Sequence, residues 1–214
     1  MSSITALKDL RRRFGPARDQ MTRPTCLAFA ASDTHAATRE PWVELCCEYL
    51  FYSAKKHDKT SPQNGARMSS VRHVLEHVGQ PVEAAWPYLA AMPPDLKQWK
   101  PPANVGTLLT LSSTEAVGDF DGAWGLVMSD SPVLIGMTIS RAFFRCGPNG
   151  VVDANEPVEP KRRHAVIGVA AGEGQGQRYL MIRNSWGGKW GLSGYAWLSE
   201  RYAAPRIKVV VVLH

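Results

Sequence analysis

The sequence lacks an apolar run of the roughly 18 to 20 residues that a membrane-spanning helix requires. Its basic N-terminal segment is not followed by the apolar stretch of a secretory signal peptide. We therefore expect neither a membrane protein nor a precursor with an evident signal. The expected location is the cytoplasm, with export by a signal-independent route left open.

Cysteine is also scarce. Four cysteines, Cys26, Cys46, Cys47 and Cys146, are too few and too unevenly spaced for a disulfide framework. A bridge between the adjacent Cys46 and Cys47 would be strained. These features favour a reducing compartment, with Cys46 and Cys47 as core residues of a helix.

Long basic runs are absent, although the formal net charge is +6 and the pI is about 9.3. Only Arg11-Arg12-Arg13 and Lys161-Arg162-Arg163 stand out, and neither is interleaved with aromatic residues that stack on bases. A solvated basic face is the preferred interpretation. We expect no nucleic-acid partner and no membrane partner.

Phosphate-binding and metal-binding patterns are missing as well. The glycine-rich residues 172–176 are followed neither by Lys-Ser/Thr nor by a helix, so they indicate a hairpin turn rather than a phosphate loop. We expect no cofactor and no metal. What the chain does have is 214 residues, 44% of them hydrophobic, enough for one domain or two closely packed lobes.

Apolar periodicity divides the chain into a helical first part and a strand-rich second part. A helix is expected at or just before Cys26, a second over residues 43–56, and a third over residues 71–78 with Gly79 as its stop. Residues 87–102 contain five prolines and indicate an ordered connection. Short β-type runs then follow at residues 133–140, 164–170, 179–182, 195–198 and 207–213.

A cysteine at a helix start has a chemical use. The unpaired N–H groups and the helix dipole favour a thiolate there, which is the nucleophilic form of the side chain. Such a nucleophile needs a base, and the base needs a polar group that fixes its orientation. If Cys26 is a nucleophile, the sequence must therefore also supply a distant histidine and an amide or carboxylate.

Three segments supply these groups, and together they resemble the motifs of papain-like cysteine peptidases. RDQMTRPTCLAF (residues 18–29) is similar to the nucleophile segment, and HAVIGV (residues 164–169) to the histidine strand. RNSWGGKWG (residues 183–191), followed by Gly194-Tyr195, closely matches the asparagine segment.

The resemblance assigns a role to each matching residue. It implies that Cys26 is the nucleophile, His164 its base and Asn184 the residue that orients the histidine. Gln20 and the backbone N–H of Cys26 would form the oxyanion hole. Trp186 would shield the hydrogen bond between His164 and Asn184 from water.

Further residues are matched to substrate binding. NGARM (residues 64–68) resembles the loop that pairs with the substrate backbone near its P2 residue. The resemblance places Gly65, Ala66, Arg67 and Met68, together with Gly136 and Ala165, at or near the P2 site. Arg67 with Arg163 leads us to expect acidic or polar P2 side chains.

The fold that the resemblance implies is α+β and two-lobed. A mainly helical lobe would span about residues 15–110 and a mainly β lobe, antiparallel and barrel-like, about residues 111–214, with the active site in the cleft between them. Both lobes would belong to a single peptidase domain over residues 1–214. The 19 residues before Gln20 are too few for the family's helical propeptide, so a short form is expected.

Several departures from the family pattern keep other functions open. Arg23 replaces a cysteine that many secreted members use in a disulfide, Leu27 replaces an aromatic residue, and the cation Arg163 precedes His164. The main hypothesis is a cysteine endopeptidase that acts on peptides or proteins, is a monomer, and has a protein inhibitor or regulator as a further candidate partner. The alternatives are a binding or scaffold protein with little hydrolysis, and an acyl transferase that uses the same triad.

Overall fold

The structure, a computed structural model, describes residues 4–214, which form two compact units. The β unit comprises residues 4–19 and 114–212, and the helical unit comprises residues 20–113 and 213–214. Residues 1–3 of the predicted domain lie outside the described residues. The assignment of one domain over residues 1–214, with the boundary between its two lobes near residue 110 of the chain, stays a prediction.

Three helices form the framework of the helical unit: α1 (Cys26–Ala36), α2 (Cys47–Asp58) and α3 (Met68–His77). The helix expected at Cys26 begins at that residue. From Leu27 to Ala36 every residue of α1 is buried. A helix that is buried along its length has no face turned to solvent, and apolar residues accordingly predominate in α1.

The second helix begins later than the predicted residue 43. Cys46 has an extended backbone, and its Sγ accepts a hydrogen bond from the N–H of Tyr49 at 3.2 Å, which makes it the N-cap of α2. Val43 is exposed. Cys46 and Cys47 are completely buried, which confirms that both are core residues.

The third helix ends where the sequence predicts. Gly79 has a φ of +81°, and its N–H donates to the carbonyl of Val74 at 2.7 Å. A Cβ at this position would lie 2.8 Å from the carbonyl oxygen of Leu109. Both the backbone conformation and the lack of space therefore require glycine here.

The β unit is built around one sheet with short helices. Its strands and helices, in chain order, are β1 (Thr5–Asp9), β2 (Ser113–Ala116), α4 (Phe120–Met128), β3 (Val133–Thr138), α5 (Arg141–Phe144), β4 (Val151–Val152), β5 (Arg163–Gly174), β6 (Gln177–Arg183), β7 (Tyr195–Ser199), α6 (Glu200–Ala203) and β8 (Ile207–Leu213). The five predicted strands are confirmed as β3, β5, β6, β7 and β8. The predicted turn is confirmed too, since Gln175 and Gly176 connect β5 to β6 with positive φ values.

The predicted barrel-like closure is wrong, because the sheet is open. Among the described residues its order is β2-β8-β3-β5-β6-β7-β4, with β1 also paired to β5. The twelve-residue β5 is long enough to carry two partners on one edge: β3 pairs with residues 163–168 and β1 with residues 170–173. The sheet branches at β5 instead of closing. The pairs β1–β5, β3–β5, β3–β8, β5–β6 and β6–β7 are antiparallel, whereas β4 and β7 are parallel.

A buried histidine in α1 makes the helical unit sensitive to acid. The hydroxyl of Ser32 donates to Oε1 of Gln80 at 2.8 Å, so the amide nitrogen of Gln80 faces Nδ1 of His35, also at 2.8 Å. Nδ1 is therefore an acceptor and carries no proton. Burial, with a smaller contribution from Arg39, lowers the pKa of His35 to about 4.

We expect His35 to reduce stability as the pH falls. Its folded pKa lies below the unfolded value of about 6.5, so the unfolded chain takes up the proton first. The contribution of neutral His35 to the free energy of unfolding is fully present above pH 6.5 and is lost as the pH falls toward 4. The loss amounts to about 3 kcal/mol at 1.36 kcal/mol per pKa unit. Urea denaturation at pH 7.5 and 4.5 should show a smaller difference for His35→Gln, since glutamine does not titrate. Equal pH dependence in the two proteins would contradict this assignment.

Candidate active site

Cys26 is the first residue of α1, in the helical unit. Its side chain is partly exposed. The N-cap residue, Thr25, makes no side-chain hydrogen bond to the helix; its hydroxyl instead pairs with the hydroxyl of Tyr88 at 2.8 Å. The sulfur thus lies at the N-terminus of α1, where the helix dipole favours a thiolate.

Gln20 lies in the same unit, six residues before the cysteine. Its side chain is buried, and Nε2 donates to the backbone carbonyl of Arg23 at 2.8 Å. The hydroxyl of Tyr88 donates to the backbone carbonyl of Gln20 at 2.7 Å. Burial raises the pKa of Tyr88 to about 12, so this donor keeps its proton at any pH near neutrality.

His164 and Asn184 are brought together in the β unit. His164 is in β5, Asn184 follows the last residue of β6, and Nε2 of the ring lies 2.7 Å from Oδ1 of the amide. The backbone N–H of Ser185 donates to the same Oδ1 at 2.9 Å. Because an N–H can only donate, this contact fixes which end of the amide is oxygen.

The tautomer of the histidine follows from this geometry. Oδ1 of Asn184 can only accept, so Nε2 of His164 must carry a hydrogen. In the neutral ring Nδ1 is then the basic nitrogen. Burial lowers the pKa of His164 to about 4, and the hydrogen bond to Asn184 offsets part of that effect. The ring is accordingly neutral at pH 7 unless an anion stabilises its charge.

Aromatic rings surround this pair. The ring centroid of Trp186 lies 4.9 Å from that of His164, and Phe143 contacts His164 edge-on at 5.7 Å. Phe144 stacks on Trp186 at 5.1 Å, and Trp190 packs against both Trp186 and Phe143. The cluster places the ring of Trp186 against that of His164. The shielding of the hydrogen bond between His164 and Asn184 by Trp186 stays a prediction.

The turn after Asn184 depends on a glycine. Gly187 has a φ of +70°, and a Cβ there would lie 2.9 Å from Oδ2 of Asp19. Its N–H donates to the carbonyl of Arg18 at 3.0 Å, and Asp19 forms an isolated β-bridge with Trp186. The turn that carries Trp186 is therefore tied to the N-terminal segment of the β unit.

The residues matched to P2 binding are divided between the units. In the β unit, Gly136 of β3 is the direct cross-strand partner of Ala165 of β5. In the helical unit, Gly65 and Ala66 precede Arg67, the exposed N-cap residue of α3, and Met68, its first residue. The carbonyl of Gly65 accepts a hydrogen bond from Nζ of Lys55 at 3.1 Å, which holds this loop against α2.

Three further observations concern metal binding, membrane crossing and the cysteines. Within residues 4–214, no group of three or more His, Cys, Asp or Glu side chains is arranged to hold a metal ion. No helix in that range is both long and apolar enough to cross a membrane. All four cysteines are thiols.

Comparison with known proteins identifies the family. Residues 6–212 match the model of the papain family of cysteine proteases. The chain belongs to that family. Its α+β fold agrees with solved papain-like structures: a mite allergen structure superposes with a TM-score of 0.82 at 24% identity, covering 100% of this chain and 72% of the other. Xylellain of Xylella fastidiosa has a TM-score of 0.75 at 21% identity, covering 99% and 86%.

Curated papain-family relatives are longer than this chain. Cysteine proteinase 3 of Entamoeba histolytica is 28% identical over 199 residues, which is 90% of this chain and 62% of the relative. Cathepsin J of Mus musculus is 27% identical over 195 residues, 86% of this chain and 57% of the relative. The papain-family chain thus spans about six tenths of the length of these relatives.

Sequence reasoning missed several residues around the papain-family motifs. Phe143 and Phe144 lie in the short helix α5. In the sequence they are only two adjacent large apolar residues, a pattern that does not indicate an active site. No role is predicted for Tyr88, which lies in the connection over residues 87–102, although its hydroxyl contacts both ends of residues 20–25. The ion pair between Arg23 and Glu48 joins residues 25 positions apart, and no local pattern predicts it.

Proposed function

We propose that this chain is a cysteine endopeptidase in which Cys26 is the nucleophile, His164 the general base and Asn184 the residue that orients His164. Membership of the papain family supports the reaction class. The observation that carries the assignment is the hydrogen bond between His164 and Asn184, whose direction the N–H of Ser185 fixes.

The proposed reaction uses the basic Nδ1 of His164. Nδ1 takes the proton of the Cys26 thiol, and the thiolate attacks the carbonyl carbon of the peptide bond. The oxyanion that forms is stabilised by the side-chain amide of Gln20 and the backbone N–H of Cys26. His164 then protonates the leaving amine, and water, activated by the same ring, hydrolyses the thioester and restores the thiol.

Covalent labelling tests this proposal. We expect an epoxysuccinyl peptide to add one equivalent to the wild-type protein at pH 6, with peptide mapping by mass spectrometry placing it on Cys26. Cys26→Ala should not be labelled. Cys146→Ala is the matched control and should be labelled like the wild type, because burial raises the pKa of the Cys146 thiol to about 11. A folded wild-type protein that takes up no label would contradict the enzyme proposal and favour a scaffold.

The scaffold alternative rested on Leu27 and Arg163. Arg163 is exposed, whereas the neighbouring His164 is buried. The charge of Arg163 is therefore screened from His164 by the solvent. Leu27 is buried in α1.

Acyl transfer with the same triad is tested by product analysis. Amines added to the assay should leave the hydrolysis product dominant, and an amide product in their presence would favour a transferase.

We also propose that Arg67 selects acidic or polar side chains at P2. Arg67 is exposed at the N-cap of α3, at the end of the loop matched to substrate pairing. A positional-scanning peptide library should favour Glu or Gln over Leu at P2. Arg67→Gln should lower kcat/KM for a Glu substrate about fivefold, equivalent to about 1 kcal/mol for an exposed ion pair.

The matched control for this prediction is Arg12→Gln, which removes an exposed arginine that has no proposed role in substrate binding. Its P2 profile should equal that of the wild type. The preference of the wild type for Glu should also weaken at high salt, because exposed charges are screened. A purely aliphatic P2 profile would overturn the assignment.

The remaining expectations are proposals as well. We propose that the substrate is a peptide or protein, that a protein inhibitor or regulator restrains the enzyme, and that the enzyme is a monomer in the cytoplasm. The four thiols are compatible with a reducing compartment. Size-exclusion chromatography with light scattering tests the monomer, and subcellular fractionation tests the location.

A further inference from the structure

Arg23 and Glu48 form a buried ion pair close to the candidate nucleophile. Their side chains are 4% and 0% exposed. Nη1 of Arg23 lies 2.5 Å from Oε2 of Glu48 and Nη2 lies 2.9 Å from Oε1, a bidentate arrangement. Such geometry fixes the plane of the guanidinium as well as its position.

The partners of this pair leave it little freedom. Oε1 of Glu48 also accepts from Nε1 of Trp99 at 2.6 Å, and Oε2 from the N–H of Leu89 at 3.0 Å. Nη1 of Arg23 donates in addition to the carbonyl of Leu89 at 2.6 Å. The carboxylate thus receives four donors, as a buried charge requires.

Aromatic rings confine the guanidinium further. Its central carbon lies 5.0 Å from the ring centroid of Tyr88 and 5.6 Å from that of Phe51, within cation–π range. The hydroxyl of the same Tyr88 contacts the carbonyl of Gln20 and the hydroxyl of Thr25. The side chain of Arg23 is therefore packed against the ring that ties both ends of residues 20–25.

The backbone of Arg23 connects the buried ion pair to Gln20. Its carbonyl accepts from Nε2 of Gln20 at 2.8 Å and from the N–H of Thr25 at 2.9 Å, while its N–H donates to the carbonyl of Gln20 at 3.3 Å. The amide of Gln20 is thus held by an atom whose own place depends on the ion pair.

We propose that Arg23, held by Glu48, is a positioning residue that sets the amide of Gln20 for stabilising the oxyanion. This proposal rests on the proposed peptidase function. Arg23 does not touch the reacting atoms; it acts through its carbonyl on Gln20. An amide that is misplaced by a fraction of an ångström donates poorly to an oxyanion, since such stabilisation depends on preorganised donors.

The test is a double-mutant cycle. Arg23→Met/Glu48→Gln removes both charges together, which avoids an unpaired buried ion, and keeps an oxygen for Nε1 of Trp99. We expect kcat to fall about tenfold with KM within about twofold and the melting temperature nearly unchanged. In a Gln20→Ala background the same pair of changes should lower kcat by less than about twofold, because residues that act as a unit are not additive.

A merely structural role gives a different result. It predicts that the loss of kcat is the same with and without Gln20, and this outcome, or a kcat equal to that of the wild type, would overturn the proposal. Arg23→Lys provides a second variant that keeps the charge but not the bidentate fork, and its cycle with Gln20→Ala decides the question if the double variant does not fold.

Two controls separate this proposal from the function itself. Arg178→Met/Glu200→Gln removes another bidentate pair, in the β unit, and should leave kcat unchanged. Each variant is also treated with the epoxysuccinyl peptide. If the wild type is neither labelled nor active, the peptidase proposal fails; if the wild type is active and the cycle is additive, only the role of Arg23 fails.

Discussion

Exchange of His164 for alanine should lower kcat/KM for peptide hydrolysis by about a thousandfold or more. The ring has two tasks in the proposed reaction, since it takes the thiol proton and later protonates the leaving amine, and each proton transfer contributes substantially to the rate. Asn184 and Ser185 hold Nε2 as the protonated nitrogen, so Nδ1 of a neutral ring is ready for the first transfer. Steady-state kinetics with a fluorogenic peptide measures the loss.

The pH dependence of labelling distinguishes a lost base from a damaged fold. The wild type should react with the epoxysuccinyl peptide at pH 6, because in the proposed reaction Nδ1 of His164 accepts the proton of Cys26. Without the imidazole the rate should be low at pH 6 and rise toward the ordinary thiol pKa of about 8.5. His77→Ala, which removes an exposed histidine from the last turn of α3, is the matched control. Equal labelling of His164→Ala and the wild type at pH 6 would refute the role of His164 as the base.

The contact between His164 and Asn184 illustrates what sequence reasoning reaches and where it stops. The resemblance named both residues, and the β-type runs placed them on or beside strands. Their pairing also depends on the register of β5 against β6, which shifts between Gly168 and Ala170. A bulge of this kind moves every later partner by one position, and the local sequence does not determine it.

Two elements that were not predicted, α4 and β1, have physical explanations. Helix α4 contains Gly122 and Gly125, which lower helix propensity, yet Phe120, Ala123 and Val127 are buried at helical spacing and Oδ1 of Asp119 accepts from the N–H of Gly122 at 2.8 Å. Strand β1 has five residues and is mostly exposed. Because neither of its faces is buried, its sequence does not show the alternation of apolar and polar residues that predicts a strand. Its pairing with β5 stabilises it, and tertiary pairing of that kind cannot be predicted from five residues.

Replacement of Gln20 by alanine is the second large effect that we expect, a loss of kcat of about a hundredfold with little change in KM. One oxyanion-hole donor contributes a few kcal/mol, and this donor acts only when negative charge develops on the carbonyl oxygen. Opening an epoxide creates no charge at a carbonyl, so Cys26 of Gln20→Ala should still be labelled at a rate near that of the wild type. Gln20→Glu keeps the size of the side chain but replaces the donor by a carboxylate, and should lose at least as much activity. If Gln20→Ala retains nearly full turnover while Cys26→Ala has none, Gln20 is not an oxyanion donor; a parallel loss of turnover and labelling would instead indicate that the segment before Cys26 had been disturbed.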